Sequence, residues 1–133
     1  MNVRHVEKAF EDPRGSIADI LEDETIEHVS ILTTAAGSVR GNHLHRETYQ
    51  WMYIVSGSLR YATQHGDAPV QGDVVRAGDV LMTGPMEAHA IEALEDTTMV
   101  VMTRGPRGGR EYESDTYRLE TPLIAADVAV STR

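Results

Sequence analysis

His43 and His45 stand two residues apart in the segment GNHLHRETYQWMYIVSG, and a third histidine, His89, follows in MEAHAI. Successive side chains of a β-strand point to opposite faces, so two histidines at a spacing of two share one face. Neutral imidazoles bind divalent transition metals, and a histidine that titrates near neutral pH also transfers protons. The pattern therefore predicts a site that uses these three histidines for metal binding or for acid–base chemistry.

The elements that would carry the histidines are short strands. Runs of β-branched, aromatic and alternating residues recur along the chain, and turn signals such as AAG, HGDAP, RAGD and TGP separate them. Such runs predict strands, which we place at residues 17–21, 26–33, 39–45, 48–55, 59–63, 73–76, 80–83, 89–93, 98–103 and 117–120. No window repeats apolar residues at the helical spacing with good caps. Many short strands at close spacing predict an all-β, antiparallel sandwich or barrel.

Length and composition indicate how the chain is organised. It has 133 residues, of which 41% are hydrophobic and 25% charged, and this length fits a single domain with one core. We expect one domain over residues 1–133, with a core at about 11–120 and a peripheral segment at 1–14. The closing segment 121–133, TPLIAADVAVSTR, is expected to form an added edge strand or a loose tail.

Charge and residue types exclude several classes of partner. The formal net charge of −9 argues against nucleic acids and anionic membrane surfaces, which both attract basic proteins. The chain has no cysteine, which excludes disulfides, thiolate metal ligands and cysteine nucleophiles. The opening residues lack the apolar region of a signal peptide, and no run approaches the roughly 20 apolar residues of a spanning helix. We therefore expect a cytoplasmic protein without a nucleic acid or membrane partner.

The predicted strand at 48–55 follows the histidine pair and presents two different faces. Alternation places three residues on one face, namely Gln50, Met52 and Ile54. The other face carries Tyr49, Trp51, Tyr53 and Val55. The amide oxygen of a glutamine is only a weak, neutral ligand for a metal, whereas tyrosines can stack on a ligand.

These residues resemble the first sequence motif of the cupins, G-x5-H-x-H-x4-E-x6-G. The matching positions are Gly37, His43, His45, residue 50 and Gly57. The second cupin motif is degraded: Gly78 and His89 match it, but Gly84 and Met86 replace its proline and glycine, and Ala93 replaces its asparagine. The resemblance implies a small jelly-roll barrel, which in cupins is often dimeric, and we expect a homodimer.

The departure at Gln50 bears on metal binding. The ligands that the resemblance implies are His43, His45, His89 and a glutamate at position 50, where this chain has glutamine. An amide removes one negative charge from the ligand set, which weakens binding of a divalent ion while three imidazoles remain. If a metal is bound, we expect Zn, Fe, Mn or Ni at His43, His45, Gln50 and His89.

A closer resemblance is to cupins that act on nucleotide-linked sugars. Residues 12–17, 39–50 and 55–60 are similar to the NDP-sugar 3,4-ketoisomerases and 4-keto-6-deoxysugar epimerases, and the ketoisomerases also carry glutamine at the position of Gln50. Residues 39–50, 96–102 and 113–120 are also similar to the C-terminal cupin domain of capsular-polysaccharide reductases. The resemblance implies a sugar-nucleotide substrate and an isomerase or epimerase reaction.

In such a reaction a proton is removed next to a carbonyl and another is returned to the resulting enediolate, which suits histidine. The resemblance to the ketoisomerases makes His43 and His45 the candidate proton-transfer pair. Arg40 would hold a phosphate or the oxyanion through its planar guanidinium. Gln50 would orient a histidine or a sugar hydroxyl.

Further residues are candidates for contact with the sugar nucleotide. Tyr49, Tyr53 and Tyr61 would stack on the sugar or the base, or relay a proton. Because the chain is acidic, an anionic substrate needs local positive charge, for which the segment RGPRGGRE offers three arginines. They are Arg104, Arg107 and Arg110.

Three functions compete at this point. The first is a metal-independent isomerase or epimerase of a nucleotide-linked keto-deoxysugar, which requires no cofactor and which the replacement at Gln50 favours. The second is a metal-dependent, dioxygenase-like cupin enzyme with a three-histidine site. The third is a non-catalytic cupin that binds a small ligand, favoured by the degraded second motif and by a predicted barrel without an obvious carboxylate base. Fold and function need not travel together.

Overall fold

The computed structural model describes residues 1–106 and 113–125, and in this part of the chain all regular secondary structure is β. The strands are β1 (Asn2–His5), β2 (Phe10–Asp12), β3 (Gly15–Ile17), β4 (His28–Thr34), β5 (Val39–Leu44), β6 (Tyr49–Ser56), β7 (Ser58–His65), β8 (Gln71–Arg76), β9 (Asp79–Thr83), β10 (Glu87–Ala93), β11 (Thr97–Arg104) and β12 (Tyr117–Arg118). The all-β prediction is therefore confirmed.

Ten of these strands form two five-stranded antiparallel sheets. The first sheet has the order β1-β9-β6-β11-β4, and the second has the order β12-β5-β10-β7-β8. Strands β2 and β3 form a separate hairpin. Chain neighbours such as β4 and β5 lie in different sheets, so the chain crosses repeatedly between two layers, as in a jelly roll. The predicted jelly-roll barrel is confirmed.

The apolar core lies between the two sheets. Alternate residues of their strands form one buried cluster, which consists of Met52, Ile54, Leu59, Tyr61, Val75, Leu81, Ile91, Met99 and Val101. Burying each large apolar side chain contributes roughly 1.5–3 kcal/mol, so this cluster fixes which face of each strand points inward. In β6 the inward face carries Met52 and Ile54, and by alternation Gln50 lies on the same face.

Part of the outer face of each sheet is also covered. On the first sheet, Trp51, Val80 and Met102 pack with Val6 and with apolar residues between positions 20 and 26. On the second sheet, the outward residues Ala62 and Ala90 pack against Ile124. The chain therefore wraps both layers with segments that are not strands.

Two predictions about the ends of the chain were wrong. The predicted strand at 17–21 contributes only Ile17 to a strand, because Ile20 and Leu21 bury their side chains on the outer face of the first sheet without a pairing partner. The segment 1–14 is not peripheral throughout, since β1 pairs with β9 in the first sheet. Of the closing segment 121–133, residues 126–133 lie outside the described residues.

Nothing within residues 1–106 and 113–125 forms a helix with the length and hydrophobicity needed to cross a bilayer.

Candidate functional site

The three predicted histidines meet inside the barrel. Strands β5 and β10 are neighbours in the second sheet, and His43 stands directly opposite His89 in their ladder. The ring centroids of His43 and His89 are 4.7 Å apart, and the ring of His45 lies 4.9 Å from His43 and 5.1 Å from His89. One ligand atom from each ring lies within 4.8 Å of the others. The structure thus brings together residues that are distant in sequence.

A β-bulge in β5 turns His43 toward the interior. Ala90 pairs with Gly41, but the next residue of β10, His89, pairs with His43, so Asn42 is an extra residue in β5. Gly41 and Asn42 adopt left-handed conformations, with φ of 89° and 55°, which glycine and asparagine tolerate. The bulge shifts the alternation by one residue, and His43 therefore faces the same way as His89.

Backbone carbonyl groups define how two of the imidazoles are protonated. Nδ1 of His45 lies 2.9 Å from the carbonyl oxygen of Asp115, and Nδ1 of His89 lies 3.3 Å from that of Glu87. A carbonyl only accepts hydrogen bonds, so in each neutral ring Nδ1 carries the proton and Nε2 keeps its lone pair. Both Nε2 atoms are buried, and they can act as bases or as metal ligands.

A row of polar side chains lies on the inner face of the opposite sheet. Gln50 pairs with Thr83 on one side and with Thr103 on the other, so the three side chains share one face of β9, β6 and β11. All three are at most 4% exposed. Strand β9 leads through residues 84–86 into β10, so Thr83 lies at the same end of the barrel as His89.

Several buried oxygen atoms in the described part of this region have no hydrogen-bond partner. Among the described residues they are Gln50 Oε1, Tyr61 Oη, Thr83 Oγ1 and Thr103 Oγ1. Buried polar groups are almost always hydrogen-bonded, because an unsatisfied group costs about 1–3 kcal/mol. Hydroxyl and amide groups that converge in this way are suited to a ligand that both donates and accepts hydrogen bonds, such as a polyhydroxylated ring.

Tyr61 supplies a hydroxyl group that stays protonated. Its side chain is fully buried on the inner face of β7. Burial and, to a smaller extent, the negative charge of Glu87 raise the pKa of Tyr61 above its ordinary value. The hydroxyl is therefore a neutral hydrogen-bond donor at physiological pH.

Glu87 places a carboxylate inside the barrel, which the sequence analysis did not expect. It precedes His89 by two residues on β10, shares its face, and is 4% exposed. One carboxylate oxygen accepts a hydrogen bond from the backbone of Gly84 at 3.3 Å, and the other lies 3.3 Å from Nε2 of His65. The polar end of the barrel thus combines imidazole, hydroxyl, amide and carboxylate groups.

The site residues predicted for substrate binding are distributed over different surfaces. Gln50 and Tyr61 face the interior, whereas Tyr49 and Tyr53 lie on the opposite face of β6 and point out of the barrel. Arg40 stands opposite Ile91 on the second sheet. The structure therefore brings Gln50 and Tyr61, but not Tyr49 and Tyr53, into the interior with the histidines.

The arginines are likewise separate from the histidine cluster. Arg40 donates hydrogen bonds to Thr34 Oγ1 and to the carbonyl oxygen of Thr33, both at 3.1 Å, and so bridges β5 to β4 of the other sheet. The guanidinium of Arg104 lies 4.4 Å from the ring centroid of Tyr49 on the outer face. Arg107 and Arg110 lie outside the described residues.

Sequence reasoning missed several residues of this region. They are His28, Thr83, Glu87, Thr103 and Asp115. His28 pairs with Thr103 across β4 and β11, so it extends the polar row to the edge of the sheet. Thr103 and Thr83 lie two residues after the buried Val101 and Leu81, so alternation predicts that they also face inward. His28 could be identified only through its pairing with Thr103 across β4 and β11. No local signal identifies Asp115, whose carbonyl contacts His45 from 70 residues away.

The donor set fits a divalent transition metal. Three imidazoles offer nitrogen ligands, and Gln50 carries a buried amide oxygen on the facing sheet. Such ligands suit Zn, Fe, Mn or Ni, although a site without a carboxylate ligand lacks the negative charge that strengthens divalent binding. A metal held there would supply Lewis-acid polarisation of a substrate oxygen.

Comparisons with solved structures identify the fold. The chain is similar to the QdtA 3,4-ketoisomerase from Thermoanaerobacterium thermosaccharolyticum, with a TM-score of 0.68, 19% identity, and coverage of 89% of this chain and 86% of that one. A 3,4-ketoisomerase from Helicobacter canadensis gives a TM-score of 0.70 at 16% identity, covering 83% of this chain and 86% of that one. At these identities the likeness shows the fold.

A third similar structure belongs to a longer protein. The capsular polysaccharide assembling protein CapF from Staphylococcus aureus gives a TM-score of 0.63 at 24% identity. The match covers 87% of this chain but only 33% of CapF, so this chain spans about a third of that protein. These three neighbours include ketoisomerases and CapF, the groups expected from the sequence, which supports the cupin resemblance.

Sequence comparisons give the family. A search of curated protein sequences returned no match. The family profile described as "Polysaccharide biosynthesis C-terminal domain" matches residues 10–117. This match spans most of the chain and includes strands β2 to β11 and all three clustered histidines. The chain therefore belongs to the polysaccharide biosynthesis C-terminal domain family and has the jelly-roll fold of the cupins.

Proposed function

We propose that this chain is an isomerase or epimerase of a nucleotide-linked keto-deoxysugar. The observation that carries the proposal is the composition of the buried polar end of the barrel. Three clustered imidazoles, two on the second sheet and His45 directly after β5, lie opposite the Thr83–Gln50–Thr103 row of the first sheet. Among the described residues, the buried side-chain oxygens of this row have no hydrogen-bond partner. A sugar ring needs many hydrogen-bonding partners, and the reaction needs a base that functions near neutral pH.

The proposed chemistry uses groups of this end of the barrel. Nε2 of His45 takes the proton from the carbon next to the keto group, and the electron pair of the broken C–H bond forms an enediolate. Tyr61 donates a hydrogen bond to the enediolate oxygen, because a preorganised donor stabilises developing negative charge. His43 and His45 then return the proton to the former carbonyl carbon, while the hydroxyl proton of the neighbouring carbon moves to the former carbonyl oxygen. This completes the isomerisation without a change in oxidation state.

The proposal also includes the state and surroundings of the protein. The nucleotide is expected at the barrel opening beside the histidines. Arg40 could contact its phosphates only after giving up its hydrogen bonds to Thr33 and Thr34, so its predicted role in phosphate binding carries no part of the proposal. A homodimer is supported by the edge strand β4, where the outward side chains Val29 and Ile31 are 66% and 67% exposed. Sedimentation equilibrium of the parent and of Ile31→Lys tests the dimer, and a monomeric parent would contradict it.

A screen with keto-sugar nucleotides in deuterated water tests the activity. Deuterium incorporation at the carbon next to the carbonyl, followed by NMR, reports proton transfer even where the equilibrium favours the starting sugar. We expect incorporation with the parent, and a loss of at least about 100-fold in His45→Ala, consistent with the typical contribution of general acid–base catalysis. His5→Ala is the matched control, because His5 is exposed and pairs with Asp79.

A metal-dependent enzyme is the second candidate function. It is favoured by the hydrogen bonds that place the Nε2 lone pairs of His45 and His89 inside the barrel, as in many metal sites. Elemental analysis of protein purified without chelators or nickel columns, beside His43→Ala/His45→Ala, distinguishes the two. Near-stoichiometric metal in the parent and none in the variant would contradict the hypothesis of a metal-independent isomerase or epimerase.

A further inference from the structure

Asp115 makes more contacts with the histidine region than any local pattern suggests. Its carboxylate accepts four hydrogen bonds from the turn between β5 and β6. The donors are the backbone N–H groups of Arg46 at 2.9 Å, Glu47 at 2.8 Å and Thr48 at 2.9 Å, and the hydroxyl of Thr48 at 2.9 Å. Three successive amides around one carboxylate form a strong anion-binding arrangement.

The backbone carbonyl of the same residue contacts the site itself. It accepts the hydrogen bond from Nδ1 of His45 at 2.9 Å. Asp115 has a φ of 57°, a left-handed conformation that aspartate and asparagine tolerate better than most residues. The carboxylate therefore anchors this residue to the turn, and its carbonyl is held against the imidazole that begins that turn.

We propose that Asp115 is a positioning residue that holds His45 with the proton on Nδ1 and with the Nε2 lone pair inside the barrel. The proposal deepens the proposed function and rests on it for its catalytic meaning. The tautomer of His45 can be measured in the protein alone, so this part of the proposal does not depend on the proposed reaction. A base and a metal ligand would both require the same lone pair on Nε2.

A purely structural role for Asp115 would not include the imidazole. The four hydrogen bonds from residues 46–48 to the carboxylate of Asp115 would be enough to stabilise this turn, wherever the backbone carbonyl of Asp115 pointed. The additional contact to His45 disfavours a ring flip and the neutral Nε2–H tautomer, since either change breaks the Nδ1–H bond to the carbonyl.

The tautomer can be measured directly. Long-range proton–nitrogen NMR of protein labelled with ¹⁵N-histidine distinguishes protonated from unprotonated ring nitrogens. In the parent we expect His45 as the Nδ1–H form. In Asp115→Asn, one carboxylate oxygen becomes an NH₂ group, which cannot accept hydrogen bonds from the four donors of the turn. Residue 115 is then held less firmly and its carbonyl no longer fixes Nδ1–H, so the Nε2–H form of His45 becomes the major population.

Two controls separate positioning from a general loss of structure. His89 is held by the carbonyl of Glu87, so its tautomer should not change in Asp115→Asn. Asp96→Asn removes a carboxylate that accepts a hydrogen bond from the backbone of Ala36 at 2.9 Å, beyond the other ends of β5 and β10. That variant should leave both histidines as in the parent.

Several results would overturn the proposal. They are an Nε2–H tautomer of His45 in the parent, an unchanged His45 in folded Asp115→Asn, and an equal change at His45 and His89. If Asp115→Asn does not fold, Thr48→Val decides, because it removes one donor with little change in volume and should raise the Nε2–H fraction of His45. Failure of the sugar screen would contradict the proposed function and leave the tautomer result intact.

Discussion

His43 stands directly opposite His89 in the β5–β10 ladder, although simple alternation along β5 would place it on the outer face with Val39. The extra residue Asn42 reverses the alternation between these two positions. Its own side chain then points outward, where Oδ1 accepts hydrogen bonds from the backbone of Leu123 at 2.8 Å and of Ile124 at 3.1 Å, and Nδ2 donates to the carbonyl of Ile124 at 2.9 Å. One bulge thus builds the site and anchors the chain after β12.

Substitution of Asn42 should separate these two roles. Asn42→Gly keeps the left-handed backbone but loses three hydrogen bonds, for which we expect a loss of about 1–3 kcal/mol in unfolding free energy. Asn42→Ala should lose about 1 kcal/mol more, because alanine is strained at this φ. Urea unfolding of both variants measures the difference. Equal stability of the glycine and alanine variants would contradict the role of the backbone conformation.

The close approach of β5 to β10 depends on Gly41. A Cβ atom there would lie 2.8 Å from the carbonyl oxygen of His89 and 3.1 Å from Cα of Ala90. Gly41→Ala should therefore lose more than about 2 kcal/mol, since strain and steric overlap add. Gly37→Ala is the matched control: its φ is 85°, but a Cβ meets nothing within 4 Å. Denaturant unfolding that ranks the two variants equally would count against this account.

Removal of the Tyr61 hydroxyl should change function and stability in different ways. The hydroxyl is buried without a hydrogen-bond partner among the described residues, so Tyr61→Phe should leave the unfolding free energy unchanged or raise it by up to about 1 kcal/mol. Deuterium incorporation into the keto-sugar should fall at least tenfold. Tyr117→Phe, at an exposed tyrosine, should change neither quantity. A marked loss of stability in Tyr61→Phe would show that the hydroxyl supports the fold.

The contribution of Asp115 to stability should depend on pH. Burial alone would raise the pKa of Asp115, but hydrogen bonds from Glu47, Arg46 and Thr48 together outweigh burial and lower the pKa below its ordinary value. The stabilisation is therefore complete above the unfolded pKa of about 3.9 and is lost as pH falls through the lower folded value. The difference in unfolding free energy between the parent and Asp115→Asn should stay constant from about pH 7 to 5 and shrink below about pH 4. Urea titrations across this range measure it, and a constant difference down to pH 3 would contradict the prediction.

Alternation predicts the site well only where strands are regular. In β6 it places Gln50 inward beside Met52, as found. In β5 the bulge at Asn42 reverses the pattern, and only the geometry of the paired strand β10 reveals it. The contact between Asp115 and His45 spans 70 residues and joins two turns, so it depends on tertiary structure that no local pattern encodes. The roles of Arg40, Tyr49 and Tyr53 in substrate binding stay predictions.

The barrel interior is divided along its axis, with an apolar half around Ile54 and Met99 and a polar half around Gln50 and His89. The apolar half contributes most of the folding free energy, whereas the unsatisfied oxygens of the polar half contribute little or oppose folding. Evolution can therefore exchange the side chains at positions 50, 83 and 103 with little penalty to folding. Such a division allows a single scaffold to acquire new substrates while it remains foldable.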